Sequence, residues 1–288
     1  MQHLENLESE INQVDSLIDE HYQVDSLEEE NYHDFTTISC SVKGLVGKAL
    51  DENNNKVLLK SFIKIDENYT FLKDPKTGNI IPNEYYYLKL LSNQSFVPKL
   101  LNFHDGENWA TIVMEFLDED WLDLFYFIHE CTEEMIYKYI LENVLLVLYR
   151  MSELGFYHGD IKPENIMVNR KSLEIKLIDL EDIIYNKSEY PECSFNCGTI
   201  GYKSPETYLN EPYEIKSSLV FNFGCLMYSC VERHQPFFSE DETFCCHQLE
   251  MCHCSPTAQM LIEKCIKLFP DERIAFDNLI NDRWFADL

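Results

Sequence analysis

The chain has 288 residues, enough for a large core spread over one or two domains, and 51 acidic against 23 basic residues give it a formal charge of −28. That balance argues against nucleic acid as a partner, since a phosphate backbone needs a basic footprint, and points to basic partners or substrates. No run of about 18 apolar residues occurs, so no transmembrane helix and no membrane partner are predicted.

Residues 1–34 hold eleven Asp or Glu and no Lys or Arg, leaving 40 acids and 23 bases for the remainder. Self-repulsion and sparse apolar residues predict a disordered acidic tail. It repeats Gln-Val-Asp-Ser-Leu at 13–17 and 23–27, and Leu4, Leu7, Ile11, Val14, Leu17 and Ile18 keep a helical spacing. Met1 to Glu30 lacks a basic n-region and an apolar h-region, so the reading is of an intracellular protein, cytoplasmic or nuclear. The eleven cysteines are then expected to be reduced, and their odd number argues against a closed disulfide set.

From Phe35 the composition turns globular, and residues 35–286 read as an α+β arrangement. Ile38–Leu50 and Lys56–Ile65 are predicted strands around the turn Asp51-Glu52-Asn53-Asn54-Asn55. A polar loop from Tyr69 to Pro82 precedes a helix over Asn83–Leu91. Strands near Val97–Phe103 and Thr111–Phe116 flank His104-Asp105-Gly106. This first part, about 35–116, is a small antiparallel sheet with one helix. The second, about 119–286, is mainly helical. Apolar residues recur every three or four positions over Leu122–His129 and Glu133–Leu154, and Gly155 ends the latter. A hairpin over Ile166–Val168 and Ile175–Ile178, an irregular stretch to Glu206, and helices over Ser217–Glu232 and Ala258–Leu268 complete it.

The chemistry concentrates in His158-Gly159-Asp160-Ile161-Lys162-Pro163-Glu164-Asn165, with Asp179 fourteen residues after Asn165. Asp160 can accept a proton from an attacking hydroxyl, while Asn165 and Asp179 offer hard oxygens for Mg²⁺ beside phosphate. Upstream, Lys60 in Val57-Leu58-Leu59-Lys60 and Glu84 on the next helix are, taken alone, surface charges by default. Cys245-Cys246-His247 with Cys252-His253-Cys254 carries a zinc reading, against the alternative of reduced cysteines packing as small apolar residues.

The spacing of Asp160, Asn165 and Asp179 resembles the catalytic loop H-R-D-x-x-x-x-N and the D-F-G motif of eukaryotic protein kinases. The likeness covers roughly residues 36–286. It implies a two-lobed fold, ATP with Mg²⁺ or Mn²⁺, and γ-phosphate transfer to protein hydroxyls. By the same likeness Lys60 and Glu84 place the α/β-phosphates, Lys162 supports the γ-phosphate, and Ser39, Ser41, Gly44 and Val46 occupy the glycine-rich loop. Met114 falls at the gatekeeper, and Glu115 and Leu117 at the adenine-binding hinge. Glu206 of Ser204-Pro205-Glu206 is expected to pair with Arg273. Three departures stand out: serines in the phosphate loop, Gly159 for the Arg of H-R-D, and Asp179-Leu180-Glu181 for D-F-G. Loss of that Arg implies little dependence on activation-segment phosphorylation. Within the family the chain is most similar to the Pim kinases, through Gly78-Asn79-Ile80-Ile81-Pro82-Asn83-Glu84, Asp123-Leu124-Phe125-Tyr126-Phe127-Ile128 and Glu174-Ile175-Lys176-Leu177-Ile178-Asp179. That likeness implies a monomeric serine/threonine kinase favouring Arg-rich substrates, with Asp123 and Glu164 as Arg contacts. The alternative is a pseudokinase that binds or scaffolds without phosphoryl transfer.

Overall fold

A computed structural model describes residues 32–41, 44–64, 71–188, 192–209, 211–246 and 249–286. Residues 1–31 of the tail, with its repeat and helical spacing, together with Val42, Lys43, Ile65 and His247, lie outside the described residues. The chain divides into two compact units, Met1–Asp118 and Glu119–Leu288.

The first unit is built on a five-stranded antiparallel sheet. In chain order its elements are β1 (His33–Ser41), β2 (Gly44–Leu50), β3 (Lys56–Ile63), β4 (Phe71–Lys73), β5 (Ile80–Pro82), α1 (Asn83–Leu90), β6 (Leu100–Asp105) and β7 (Trp109–Glu115). The sheet order is β1-β2-β3-β7-β6, and β4 and β5 form a separate hairpin. The predicted single strand over 38–50 is in fact two strands, with Ser41 opposite Gly44. Every residue there suits a strand, but Gly44 sits at φ +150°, and a Cβ on it would come within 1.9 Å of the Ser61 carbonyl oxygen. Only glycine fits that approach. One sheet face buries Ala49, Val57, Leu59 and Val113 under Tyr32 and Phe35. Each fully buried aliphatic side chain there contributes about 1.5–3 kcal/mol. On α1, Glu84 and Leu88 are one helical turn apart and both buried, which faces Glu84 inward.

The second unit begins with β8 (Trp121–Asp123), α2 (Leu124–Glu130), α3 (Glu134–Leu154), β9 (Phe156–His158), β10 (Ile166–Asn169), β11 (Ile175–Leu177) and β12 (Ile183–Tyr185). There follow β13 (Glu192–Cys193), β14 (Tyr213–Glu214), α4 (Ile215–Glu232), α5 (Glu240–Phe244) and α6 (Pro256–Cys265). The helix expected from Leu122 starts at Leu124 instead. Trp121–Asp123 pairs with β10, and the Asp123 carboxylate caps α2 by accepting the Tyr126 N–H at 2.9 Å. On α3, Tyr137, Ile140, Leu141, Val144, Leu145, Leu148 and Met151 form a continuous buried stripe. Gly155, at φ +82°, closes that helix in the left-handed conformation. α4 is buried on nearly every side. Gly224 lets it approach α6, since a Cβ there would lie 2.6 Å from Cys265 Cβ. Glu206 grips Arg273 through two parallel bonds of 2.6 and 2.7 Å, as expected, and Arg273 also donates to the Ser217, Lys267 and Leu268 carbonyls. This α+β pair, an antiparallel-sheet unit and a helical unit, is the expected fold class. Among the described residues no helix is long and apolar enough to cross a membrane.

Candidate functional site

The first unit brings Lys60 and Glu84 together. β3 holds Lys60 between Val46 of β2 and Ile112 of β7. Glu84 lies in the first turn of α1, where the helix N-terminus favours a carboxylate. The Lys60 ammonium is 2.5 Å from Glu84 Oε2, with only 4% of the glutamate side chain exposed. Lys60 is thereby fixed rather than left to sweep solvent. Ser39 and Ser41 are exposed on β1, opposite Val46 and Gly44, and Val46 is half-buried. Met114 is buried near the end of β7. Glu115 closes that strand by donating its N–H to the Lys99 carbonyl at 2.9 Å and accepting the Lys99 N–H on its carboxylate at 2.8 Å. Leu117 follows in open chain and is half-buried.

In the second unit Asp160, Lys162 and Asn165 lie on the loop between β9 and β10. One oxygen of Asp160 is clamped. Its Oδ2 accepts from Lys162 Nζ at 2.6 Å and from Asn165 Nδ2 at 3.1 Å, and Asn165 Nδ2 reaches the Asp160 carbonyl at 2.8 Å. The other, Oδ1, is buried with no partner among the described residues. A buried, unsatisfied acceptor is costly unless something else supplies the donor. Lys162 Nζ also donates to Thr199 Oγ1 at 2.7 Å. Asn165 spends its amide nitrogen on Asp160, which leaves its amide oxygen for another partner. Its backbone carbonyl takes the Ile178 N–H at 2.9 Å, tying the loop to the residue before Asp179.

Asp179 adopts a left-handed backbone at φ +59°, a conformation that costs a non-glycine residue energy and that clusters at functional sites. His158 is the buried strut beneath the loop. It donates Nε2–H to the Ile178 carbonyl at 3.2 Å and accepts the Asp160 N–H on Nδ1 at 3.2 Å. Burial lowers its pKa, so the ring is neutral at pH 7. The opposite shift marks Asp182. Burial first, then the negative charges of Asp160, Asp179 and Glu181, raise its carboxyl. The loop is thus a pool of negative potential. Within it the carboxylate oxygens of Asp179 and Glu181 come within 4.8 Å of each other, hard donors of the kind a divalent cation such as Mg²⁺ takes.

The structure also describes two further stretches singled out in the sequence. Asp123 caps α2 through one carboxylate oxygen and burial raises its carboxyl, whereas Glu164 is exposed. In the cysteine- and histidine-rich stretch, Cys246 is buried whereas Cys245 and Cys252 are exposed. His253 is paired to Glu232 at 2.8 Å. Among the described residues no three donors of this stretch converge as metal ligands do. Sequence reasoning also passed over Thr199 as the second partner of Lys162 and over the contact between Gly159 and Cys197. A Cβ on Gly159 would lie 2.4 Å from the Asp182 carbonyl oxygen and 2.7 Å from Cys197 Sγ. These partners are some 37 residues apart, beyond any local pattern.

A family model described as protein kinase domain matches residues 32–285. The PAS domain-containing serine/threonine-protein kinase of Mus musculus is 26% identical over 257 residues, covering 88% of this chain and 18% of that protein. Serine/threonine-protein kinase PSK1 of Saccharomyces cerevisiae is 28% identical over 276 residues, covering 88% of this chain and 19% of that protein. Serine/threonine-protein kinase 1 of African swine fever virus is 25% identical over 206 residues, covering 72% of this chain and 69% of that protein. The chain therefore spans under a fifth of the length of the first two relatives.

Proposed function

This chain belongs to the protein kinase domain family, as a member of the serine/threonine type, and from that premise we propose that it transfers the γ-phosphate of ATP to serine or threonine hydroxyls of basic proteins. The observation that carries the reading is Asp160. One carboxylate oxygen is immobilised by Lys162 and Asn165, and the other is buried and open. A substrate hydroxyl donating to Oδ1 satisfies that orphaned acceptor, is aimed for attack, and has its proton taken as the phosphoryl bond forms. Lys162, bridging Asp160 Oδ2 and Thr199, places positive charge beside the same carboxylate.

Phosphoryl transfer is mostly positioning and charge stabilisation. Lys60, held by Glu84, supplies charge for the α/β-phosphates, while Glu115 and Leu117 supply backbone groups for adenine beside the gatekeeper Met114. Asn165 and Asp179 are the residues assigned to a divalent ion, which neutralises phosphate charge when bound. Glu164 is the stronger candidate contact for a substrate Arg, and the overall charge of −28 favours basic substrates at long range.

A second reading, a binding module without transfer, draws on Glu181. It adds a negative charge beside Asp179 and contributes to the raised carboxyl of Asp182, which opposes a polyphosphate. The deciding experiment is transfer from ATP to an Arg-rich Ser/Thr peptide with Mg²⁺ and, separately, Mn²⁺, beside Asp160→Asn. Transfer that disappears in the variant is expected. No transfer, together with no thermal stabilisation by millimolar ATP, would replace the kinase reading with the binding module.

A further inference from the structure

Two cysteines between Asp179 and Glu206 take no part in the proposed chemistry, yet the fold brings both against Phe195 and Tyr213. Cys193 on β13 lies directly across from Tyr213 on β14. Its sulfur accepts the Phe195 N–H at 3.1 Å. The Phe195 carbonyl accepts the Cys197 N–H at 3.1 Å and the Tyr213 hydroxyl at 2.9 Å. The chain therefore doubles back around exposed Phe195. The Tyr213 hydroxyl lies 3.7 Å from Cys197 Sγ.

The two thiols are not equivalent. Cys193 is half-exposed and Cys197 is buried. Burial pushes the Cys197 thiol up to about 12, so it stays protonated and inert toward solutes. Cys197 also does a packing job, because its sulfur fills the space against Gly159 that a Cβ would occupy. Gly198, at φ +94°, continues the contact: a Cβ there would lie 3.1 Å from the Gly159 carbonyl. Gly159 directly precedes Asp160, and its N–H is fixed on the Asp182 carbonyl at 3.0 Å. An Arg at 159 has no room in this arrangement.

We propose that Cys193 and Cys197 form a peroxide-driven disulfide that draws the Cys197 sulfur away from Gly159 and suppresses phosphoryl transfer. The Cys193 thiol gives up its proton, its thiolate attacks the peroxide O–O bond to give a sulfenic acid and hydroxide, and that hydroxide takes up the released proton as one water. The Cys197 sulfur then attacks that sulfenic sulfur. The S–S bond forms as the S–O bond breaks, and the departing hydroxide takes the Cys197 proton as a second water. Two thiols are oxidised and one peroxide is reduced. The catalytic consequence rests on the kinase reading, whereas the bond itself does not.

The test treats the full-length chain with hydrogen peroxide, blocks remaining thiols, and maps digested peptides by mass. Transfer is assayed before oxidation, after it, and after dithiothreitol. We expect a Cys193–Cys197 link in the wild type, a severalfold fall in transfer, and recovery on reduction. Cys193→Ser should keep its basal rate and become insensitive to peroxide. In Cys197→Ser, Cys193 should accumulate added oxygen instead of a crosslink. Cys193 recovered unmodified, or crosslinked to any other cysteine, overturns the proposal, as does a mapped bond with undiminished transfer. A chain with no transfer before oxidation defeats the kinase reading, and the peptide map then decides the disulfide alone.

Discussion

Replacing Asp160 with Asn separates the work of its two oxygens. Oδ2 holds Lys162 and Asn165, whereas Oδ1 has no partner among the described residues. An asparagine can turn its single oxygen to the clamped position and keep both bonds, which leaves its NH₂ at the open one. The loop survives, and what is lost on the structural side is one charge opposite Lys162. A hydrogen bond to a charged group exceeds a neutral one by about 1 kcal/mol. For a chain of this size that is a fall in Tm of about 2–4 °C. The catalytic loss is larger. A donor now meets the substrate hydroxyl where an acceptor is required, and a positioned general base contributes about 10²–10⁴ in rate, or roughly 3–5 kcal/mol. Initial rates of radiolabelled γ-phosphate transfer to an Arg-rich peptide at saturating ATP, taken with melting curves on the same preparations, separate the two effects. A variant within about tenfold of wild-type rate, with an undisturbed melt, would refute the assignment of Asp160 as base.

Three further outcomes follow from the geometry. Glu206→Ala leaves the Arg273 guanidinium, 1% exposed, with only backbone carbonyls; the expected loss is about 3 kcal/mol in urea unfolding, and a change below about 1 kcal/mol would show that those carbonyls suffice. His158 is a pH-dependent contributor. Its folded pKa lies below 6.5, so as pH falls below that value the unfolded chain takes up a proton that the folded chain refuses. Stability is flat above this window and declines within it by up to about 1.4 kcal/mol per pH unit. Melts of wild type and His158→Asn between about pH 8 and pH 5.5 should diverge on the acid side, and superimposable profiles would remove His158 from the account. Gly44→Ala drives a Cβ to 1.9 Å from the Ser61 oxygen, so β2 and β3 must part, at about 1–3 kcal/mol. An unchanged Tm would mean that the strand edge yields freely.

Elements with a strong local signature were legible from the chain alone. α3 announces itself by its apolar stripe and by Gly155, and the β10–β11 hairpin by two short apolar runs around polar residues. Trp121–Asp123 misled because its apolar spacing continues that of α2. Pairing with β10, some 45 residues later, claims it as a strand. The break between β1 and β2 was hidden for a similar reason: the need for glycine at 44 comes from the Ser61 carbonyl on a neighbouring strand, not from the residues on either side. Asp123 as the cap of α2 was hidden with the Trp121–Asp123 strand: an Asp three residues before the Tyr126 N–H is a local cap signal, but only once the helix is known to start at Leu124.

By itself the sequence determined the chemistry-bearing residues. Asp160, Asn165 and Asp179 sit at spacings that a loop and a hairpin can bring to one place, and Lys60 and Glu84 fall on a strand and the helix after it. Only the tertiary structure decided what each of those groups is free to do. It left one oxygen of Asp160 clamped and the other open, gave Lys162 a second partner in Thr199, and set Cys197 against Gly159 and beside Tyr213. Local periodicity records which face of an element is apolar. Which polar atoms are left unpaired depends on contacts closed across tens of residues, and those exist only once the chain has packed.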